Sequence, residues 1–258
     1  MIVELAQALE ESVQESLEDR PAVAFSGGLD STIIAHVAKK HSSPELFTAG
    51  TGNSDDLKNA EIIAKEMGLP FHKRTLSKDE ILQFYSTAYS IHPGNLLRVE
   101  LLVPLCACAE EAQKNRMEVM LFGTGAEELF VGYQRYYTYE EEGGDLEKLL
   151  RGEFATLKDR EIKMIKKAAR KYGIEARFPF YNSKLAELAF SIPLQQKMED
   201  KELKKCVLRE AAKLLGVPEA AVHRKKKALQ YGSGIHNILL KNADYINSNF
   251  PPKDSGGP

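Results

Sequence analysis

The segment VAFSGGLDSTII, Val23 to Ile34, constrains the fold more than any other stretch of this 258-residue chain. Ala22 to Phe25 reads as a short buried strand, and STIIAHVAKK, from Ser31, carries on as a helix. Between them stand Ser26-Gly27-Gly28, so the strand turns straight into a helix through two residues without a Cβ. A buried strand followed at once by a helix is half of a crossover unit, and such units build parallel sheets.

The chain repeats the pattern. A helical period covers Val3 to Leu17 ahead of the first strand, and Ser43-Pro44 breaks the helix after it. Glu45 to Ala49 reads as a second strand, Gly50 to Ser54 as a loop, and Asp55-Asp56 open a helix that runs to Met67 and closes at Gly68. Pro70 to Leu76 predicts a third strand, Lys78 to Ile91 and Leu96 to Asn115 two helices, and Glu118 to Phe122 another buried strand. After Gly132 no strand signal is visible; Leu146 to Tyr172, Lys184 to Phe190 and Lys201 to Leu215 read as helices. The expected fold is α/β, a parallel sheet with helices on both faces and a helical C-terminal half. It forms one domain over residues 1–250, with a mobile Pro/Gly-rich tail at 251–258.

The Ser-Gly-Gly turn carries the chemistry. Its amides line up with the positive end of the following helix and make an anion site, to which the hydroxyls of Ser26 and Ser31 add donors. Asp30 would repel a phosphate, a conflict that a bridging Mg²⁺ resolves, because magnesium takes one or two carboxylates together with phosphate oxygens. The plainer alternative is a strand-to-helix turn with an aspartate cap. No G-x-x-x-x-G-K-S/T occurs, which excludes a Walker loop.

Composition removes other classes. A net charge of −2, from 35 basic and 37 acidic residues, gives no general attraction to nucleic acid or to anionic membranes. No apolar run approaches the roughly 20 residues that span a bilayer. The acidic, helical N-terminus is unlike a signal or transit peptide, so a cytoplasmic protein is expected. Cys106, Cys108 and Cys206 lack the spacing of a disulfide framework or a metal site, and core packing accounts for Cys106 and Cys108.

Five blocks, in order, carry a resemblance to a known family. SGGLDS after a strand resembles the signature of the N-type ATP pyrophosphatases, the PP-loop superfamily. FTAGTGNSDDLKNAEIIAKEMGLPFHK, VMLFGTGAEELFVGYQRYY, YGIEARFPFYNSKLAELAFSIP and KCVLREAAKLLGVPEAAVHRKKKALQYGSG are similar to successive segments of the asparagine synthetase C-terminal (synthetase) domain. The third of these resembles L-S-G-E-G-A-D-E-L-F-G-G-Y, and the fourth resembles a G-V/I-E-x-R-x-P-F-L-D segment. The resemblance implies an adenine nucleotide alpha-hydrolase-like fold and a ligase that cleaves ATP to AMP and pyrophosphate while adenylating a carboxylate. The cofactors so implied are ATP and Mg²⁺.

Carried over by position, Ser26, Gly27, Gly28, Asp30 and Ser31 match the pyrophosphate loop, and Ala24 and Ala49 match backbone contacts to the nucleotide. Gly123 matches the first glycine of G-E-G, Asp30 and Glu127 the two magnesium-facing carboxylates, and Lys226 the catalytic lysine. Read alone, Glu127-Glu128 are charges opening a helix, and Arg224 to Lys227 a solvated basic face. Three departures fall at the family's acceptor end: Thr124 replaces the G-E-G glutamate, Tyr181-Asn182 replace L-D, and Arg98 is out of register with an arginine. They leave aspartate open as the acceptor. No glutaminase segment precedes the loop, so the amine is expected from free ammonia or a separate glutaminase subunit; self-association stays open. A nucleotide-binding module without catalysis and a tRNA-modifying ATP pyrophosphatase remain as alternatives.

Overall fold

The computed structural model of the chain describes residues 1–94, 96–225 and 232–251. Five parallel strands form one sheet: β1 Ala22–Ala24, β2 Glu45–Gly50, β3 Phe71–Thr75, β4 Val119–Leu121 and β5 Glu175–Arg177, in the order β3-β2-β1-β4-β5. The helices of the first half are α1 Ile2–Gln14, α2 Leu29–His41, α3 Asp55–Met67, α4 Lys78–Ile91, α5 Leu96–Lys114 and α6 Ala126–Leu129. Then come α7 Gln134–Glu141, α8 Leu146–Thr156, α9 Glu161–Arg170, α10 Ser183–Ser191 and α11 Leu194–Lys197. The last are α12 Cys206–Leu215, α13 Glu219–Val222, α14 Ile235–Leu240 and α15 Ala243–Asn249.

Alternation along the strands sorts the core into two layers. Val23, Leu46 and Leu121 pack with residues of α1, α2, α3 and α12. Ala22, Phe47 and Met120 point the other way and pack with α4, α5 and α9. A sheet covered on both faces needs apolar residues at every strand position, which is why these strands read as continuous hydrophobic runs. Strand order then fixes where a ligand can sit. From β1 the chain crosses to β2 on one side; from β3 it returns to β4 on the other side of β1. The carboxyl ends of β1 and β4 therefore diverge into a crevice at the switch point.

Three sequence expectations are corrected. A strand does follow Gly132: β5 pairs in parallel with β4, Met120 opposite Ala176. Its Glu-Ala-Arg carries a single apolar residue, too little to show a period. The helix expected over Leu146 to Tyr172 is broken by a 3₁₀ turn, Leu157–Asp159, and by Arg160 at φ −109°, ψ −101°, which no helix continues through. The helix expected from Lys201 begins only at Cys206, because Lys204 and Lys205 take φ values of 59° and 55°. The bounds of α3 agree with expectation: it starts behind a Ser54 side chain that accepts from the Leu57 amide, and ends on Gly68 at φ 63°. Cys106 and Cys108 are buried, and burial pushes both thiols up to about 12. No helix among the described residues is long and apolar enough to cross a membrane. Of the expected tail, residues 252–258 lie outside the described residues.

Lys197, at the end of α11, is only 1% exposed, its ammonium 5.5 Å from the centre of the Phe190 ring. Burial drives its pKa from 10.5 down to about 8. The unfolded chain thus holds this proton more tightly, and folding carries a penalty that is complete below about pH 8 and fades as pH rises toward 10.5. Lys197→Met is expected to stabilise the fold by about 1–3 kcal/mol at pH 7, with the gain shrinking through pH 8 to 10. Denaturant titrations across that range check it, and a pH-independent difference would remove the burial explanation.

Candidate active site

The turn after β1 is shaped by its two glycines in different ways. Gly27 sits at φ 64°, and a Cβ there would lie 2.9 Å from the backbone of Ala60 in α3. Gly28 caps α2 in an extended conformation without a side-chain cap, so the first amides of that helix have no partner within it. Ser26 and Ser31 brace the turn: Ser26 Oγ accepts from the Gly28 amide at 3.3 Å, and Ser31 Oγ donates to the Gly28 carbonyl at 3.3 Å. The result is a preformed anion cradle at the start of a 13-residue helix.

This cradle opens into a cavity of about 290 Å³ at the switch point. Ala24, Ser26, Gly28, Asp30 and Ser31 line it from the β1 side, Ala49 from β2, and Gly123 and Glu127 from beyond β4. Gly27 is outside this wall and packs on α3 instead. One flank is apolar, with Phe47, Leu102, Pro104 and Cys108, a surface suited to a planar base. Lys226 lies outside the described residues.

Beneath Asp30 and Glu127, outside the residues that line the cavity, lies a lysine that sequence reasoning missed. Lys205 Nζ donates to both carboxylate oxygens of Asp30, at 2.8 and 2.7 Å, and to Glu127 Oε1 at 2.9 Å. Its side chain is 4% exposed. Burial opposes the charge, but the coulombic attraction and hydrogen bonds of Asp30 and Glu127 outweigh it and hold the ammonium above the usual lysine range. Space for the bridge comes from Gly132, where a Cβ would stand 1.7 Å from Glu127 Oε2 and 2.4 Å from Lys205 Cε. Two consecutive left-handed lysines, each costing about 1 kcal/mol or more, aim Lys205 inward from the start of α12. The signal in the sequence was its place directly before C-V-L-R-E-A, obscured by a period that extended the helix through it.

Two more polar residues reach the loop. Arg224, 14% exposed, donates to the Ser26 carbonyl at 2.5 Å and to Asp56 Oδ1 at 2.7 Å. Asp56 itself lines the cavity and is 4% exposed. Lys225, by contrast, is a surface residue paired with Glu202. Asp30 and Glu127 set two negative charges against the one positive charge of Lys205, which leaves a net negative charge that a magnesium ion would neutralise. Among the described residues no group of three or more His, Cys, Asp or Glu is arranged to hold a metal alone. Such a pair fits a magnesium ion that completes its shell with phosphate oxygens.

The departures separate spatially. Thr124 lines the cavity, but Asn182 caps α10, its Oδ1 accepting from the Leu185 amide and its Nδ2 donating to Glu15. Tyr181 stacks near Phe154, 4.9 Å between ring centres, and Arg98 is exposed on the first turn of α5. Around Thr124 the wall stays acidic: Glu128 and Glu161 also line it, and burial, with Glu127 and Glu161 adding repulsion, pushes Glu128 up to about 7.

The family model described as asparagine synthase matches residues 4–173 and 154–250. The chain is 29% identical to a putative glutamine-hydrolyzing asparagine synthetase of Methanocaldococcus jannaschii, over 92% of this chain and 50% of that protein. It is also 29% identical to asparagine synthetase B of Escherichia coli, over 90% of this chain and 45% of that one. The chain thus spans about half the length of the curated relatives it matches. Among solved structures it is similar to the NMN synthetase of Francisella tularensis, at 13% identity and a TM-score of 0.49, covering 100% of this chain and 98% of that one. With a family model matched over most of its length, this chain belongs to the asparagine synthase family.

Proposed function

We propose that this chain is an ATP-dependent ligase that activates a carboxylate as its adenylate and joins it to an amine. The observation that carries the reading is the Lys205 ammonium held between Asp30 of the phosphate cradle and Glu127 across the crevice. A fixed positive charge beside the cradle favours negative charge building on a departing pyrophosphate, and it is already in place before reaction. A carboxylate oxygen attacks the α-phosphorus, the bond to the β-phosphate breaks, and pyrophosphate leaves. The amine nitrogen then attacks the acyl carbon, loses a proton and expels AMP. Magnesium held by Asp30 and Glu127 would supply further charge neutralisation at the phosphates.

Within this reading, Ser26, Gly28 and Ser31 bind the phosphates, Gly27 gives their loop its turn against α3, and Ala24, Ala49 and Gly123 flank the nucleotide. Lys205 is the catalytic cation the geometry favours, with Lys226 the second candidate. The acceptor implied by kinship is aspartate, and the amine is ammonia or ammonia delivered by a glutaminase, which places the chain in asparagine biosynthesis. Thr124 favours a different acceptor, because the acid expected there is a neutral hydroxyl.

The test is chromatography of nucleotide products with Mg-ATP, ammonia and a panel of amino acids. AMP and pyrophosphate in equal amounts, dependent on one amino acid, are the expected result. ADP with phosphate as main products would overturn the reading. ATP binding without turnover across the panel would replace it with a nucleotide-binding module.

A further inference from the structure

Arg209 is a buried charge that does not line the cavity. On the first turn of α12, it is 6% exposed, and its guanidinium is spent on main-chain carbonyls. Its Nε donates to the Lys204 carbonyl at 2.7 Å, and its two terminal nitrogens donate to the carbonyls of Leu203, Val222 and Arg224, the last at 3.2 Å. These carbonyls belong to two separate segments. Leu203 and Lys204 lead into the left-handed pair, Lys204 and Lys205, that aims Lys205 inward. Val222 and Arg224 belong to the segment from which Arg224 reaches the Ser26 carbonyl and Asp56.

We propose that Arg209 is the positioning residue of this site, clamping the Lys205 turn and the Arg224 segment into one frame over the phosphate cradle. A guanidinium is expensive to bury unless its donors are met, and here carbonyl dipoles from both segments meet them. A flat five-donor group is the side chain able to span four carbonyls at fixed angles; a lysine ammonium is a point donor and reaches fewer. Two adjacent left-handed non-glycine residues do not hold that conformation unaided, and Arg209 binds the carbonyls on either side of the first of them. Through the turn it sets the height of Lys205 between Asp30 and Glu127, and through Arg224 it sets the loop carbonyl at Ser26. The proposal deepens the ligase reading, and it rests on that reading only for its kinetic arm.

The test reads Lys205 directly. Amine acylation of the folded full chain, followed by peptide mass spectrometry, gives a rate for each lysine without any turnover. Lys205 in the wild type is expected to react slowly, and exposed Lys225 fast. Arg209→Met is expected to raise the Lys205 rate by about tenfold or more while leaving Lys225 unchanged. Arg209→Lys, which keeps the charge and carries the test if the methionine variant does not fold, is expected to raise it by a smaller factor. Ile81→Ala, a truncation in the other core layer, shows what loss of global stability does alone. Unchanged protection of Lys205 in a folded Arg209 variant overturns the proposal, as does an equal rise in Ile81→Ala at matched stability. In the kinetic arm, Arg209→Lys should lower kcat about tenfold with KM for ATP within about threefold. A wild type without nucleotide turnover sinks the ligase reading and leaves the labelling result to decide on Arg209.

Discussion

Lys205→Ala is expected to cut AMP and pyrophosphate formation by about a thousandfold while ATP affinity changes by no more than about tenfold. The asymmetry follows from where the charge acts. In the structure Lys205 is already engaged by Asp30 and Glu127, whose two carboxylates more than offset its single positive charge in the ground state. Extra negative charge appears beside it only as pyrophosphate departs, and an interaction that strengthens only then shows in kcat. Removing the ammonium also leaves two partly buried carboxylates facing each other, so melting curves must accompany the kinetics. Because its pKa is raised on folding, the bridge contributes fully below the ordinary lysine value of 10.5 and fades only above it, so a comparison at pH 7 reads it whole. Lys225→Ala, on an exposed pair with Glu202, is the silent control. Lys226→Ala belongs in the same series: full activity in Lys205→Ala with loss in Lys226→Ala would move the catalytic cation out of the Asp30–Glu127 bridge.

Much of this architecture is legible in the sequence for local reasons. The strand-Gly-Gly-helix junction needs no distant partner to announce itself, and α3 is bounded by a Ser54 cap and a Gly68 stop that chain chemistry alone requires. What escapes detection is set by tertiary context. β5 exists because β4 offers an edge to pair with, and three residues Glu-Ala-Arg carry no period of their own. Lys205 hides because leftward turns at lysine have no compositional marker, unlike those at glycine. Arg224 and Lys225 stand side by side in one basic run, yet one is half-buried on the Ser26 carbonyl and the other is solvated. Composition cannot divide them; the pull of Asp56 from α3 does. Likewise the three departures at the acceptor end look equivalent in sequence, and only Thr124 proves to face the cavity.

Gly27→Ala is expected to destabilise the fold by about 2–4 kcal/mol and to lower the melting temperature by about 5–12 °C. Two effects add at this position. An alanine at φ 64° bears the left-handed penalty, about 1 kcal/mol. Its Cβ would also stand 2.9 Å from Ala60 N and Cα and 3.0 Å from the Asn59 carbonyl carbon, all backbone atoms of α3, which cannot rotate away as a side chain can. Either the helix shifts or the loop does, and a shifted loop no longer presents its amides to a phosphate, so nucleotide affinity should fall as well. Gly68 separates the two contributions. It has nearly the same φ, 63°, yet nothing lies within 4 Å of where its Cβ would be, so Gly68→Ala measures the conformational penalty alone. Thermal and denaturant melts of both variants give the difference, which is the cost of the contact between the phosphate loop and α3. Equal losses at the two positions would mean that α3 yields freely, and that close packing behind the loop does not hold its shape.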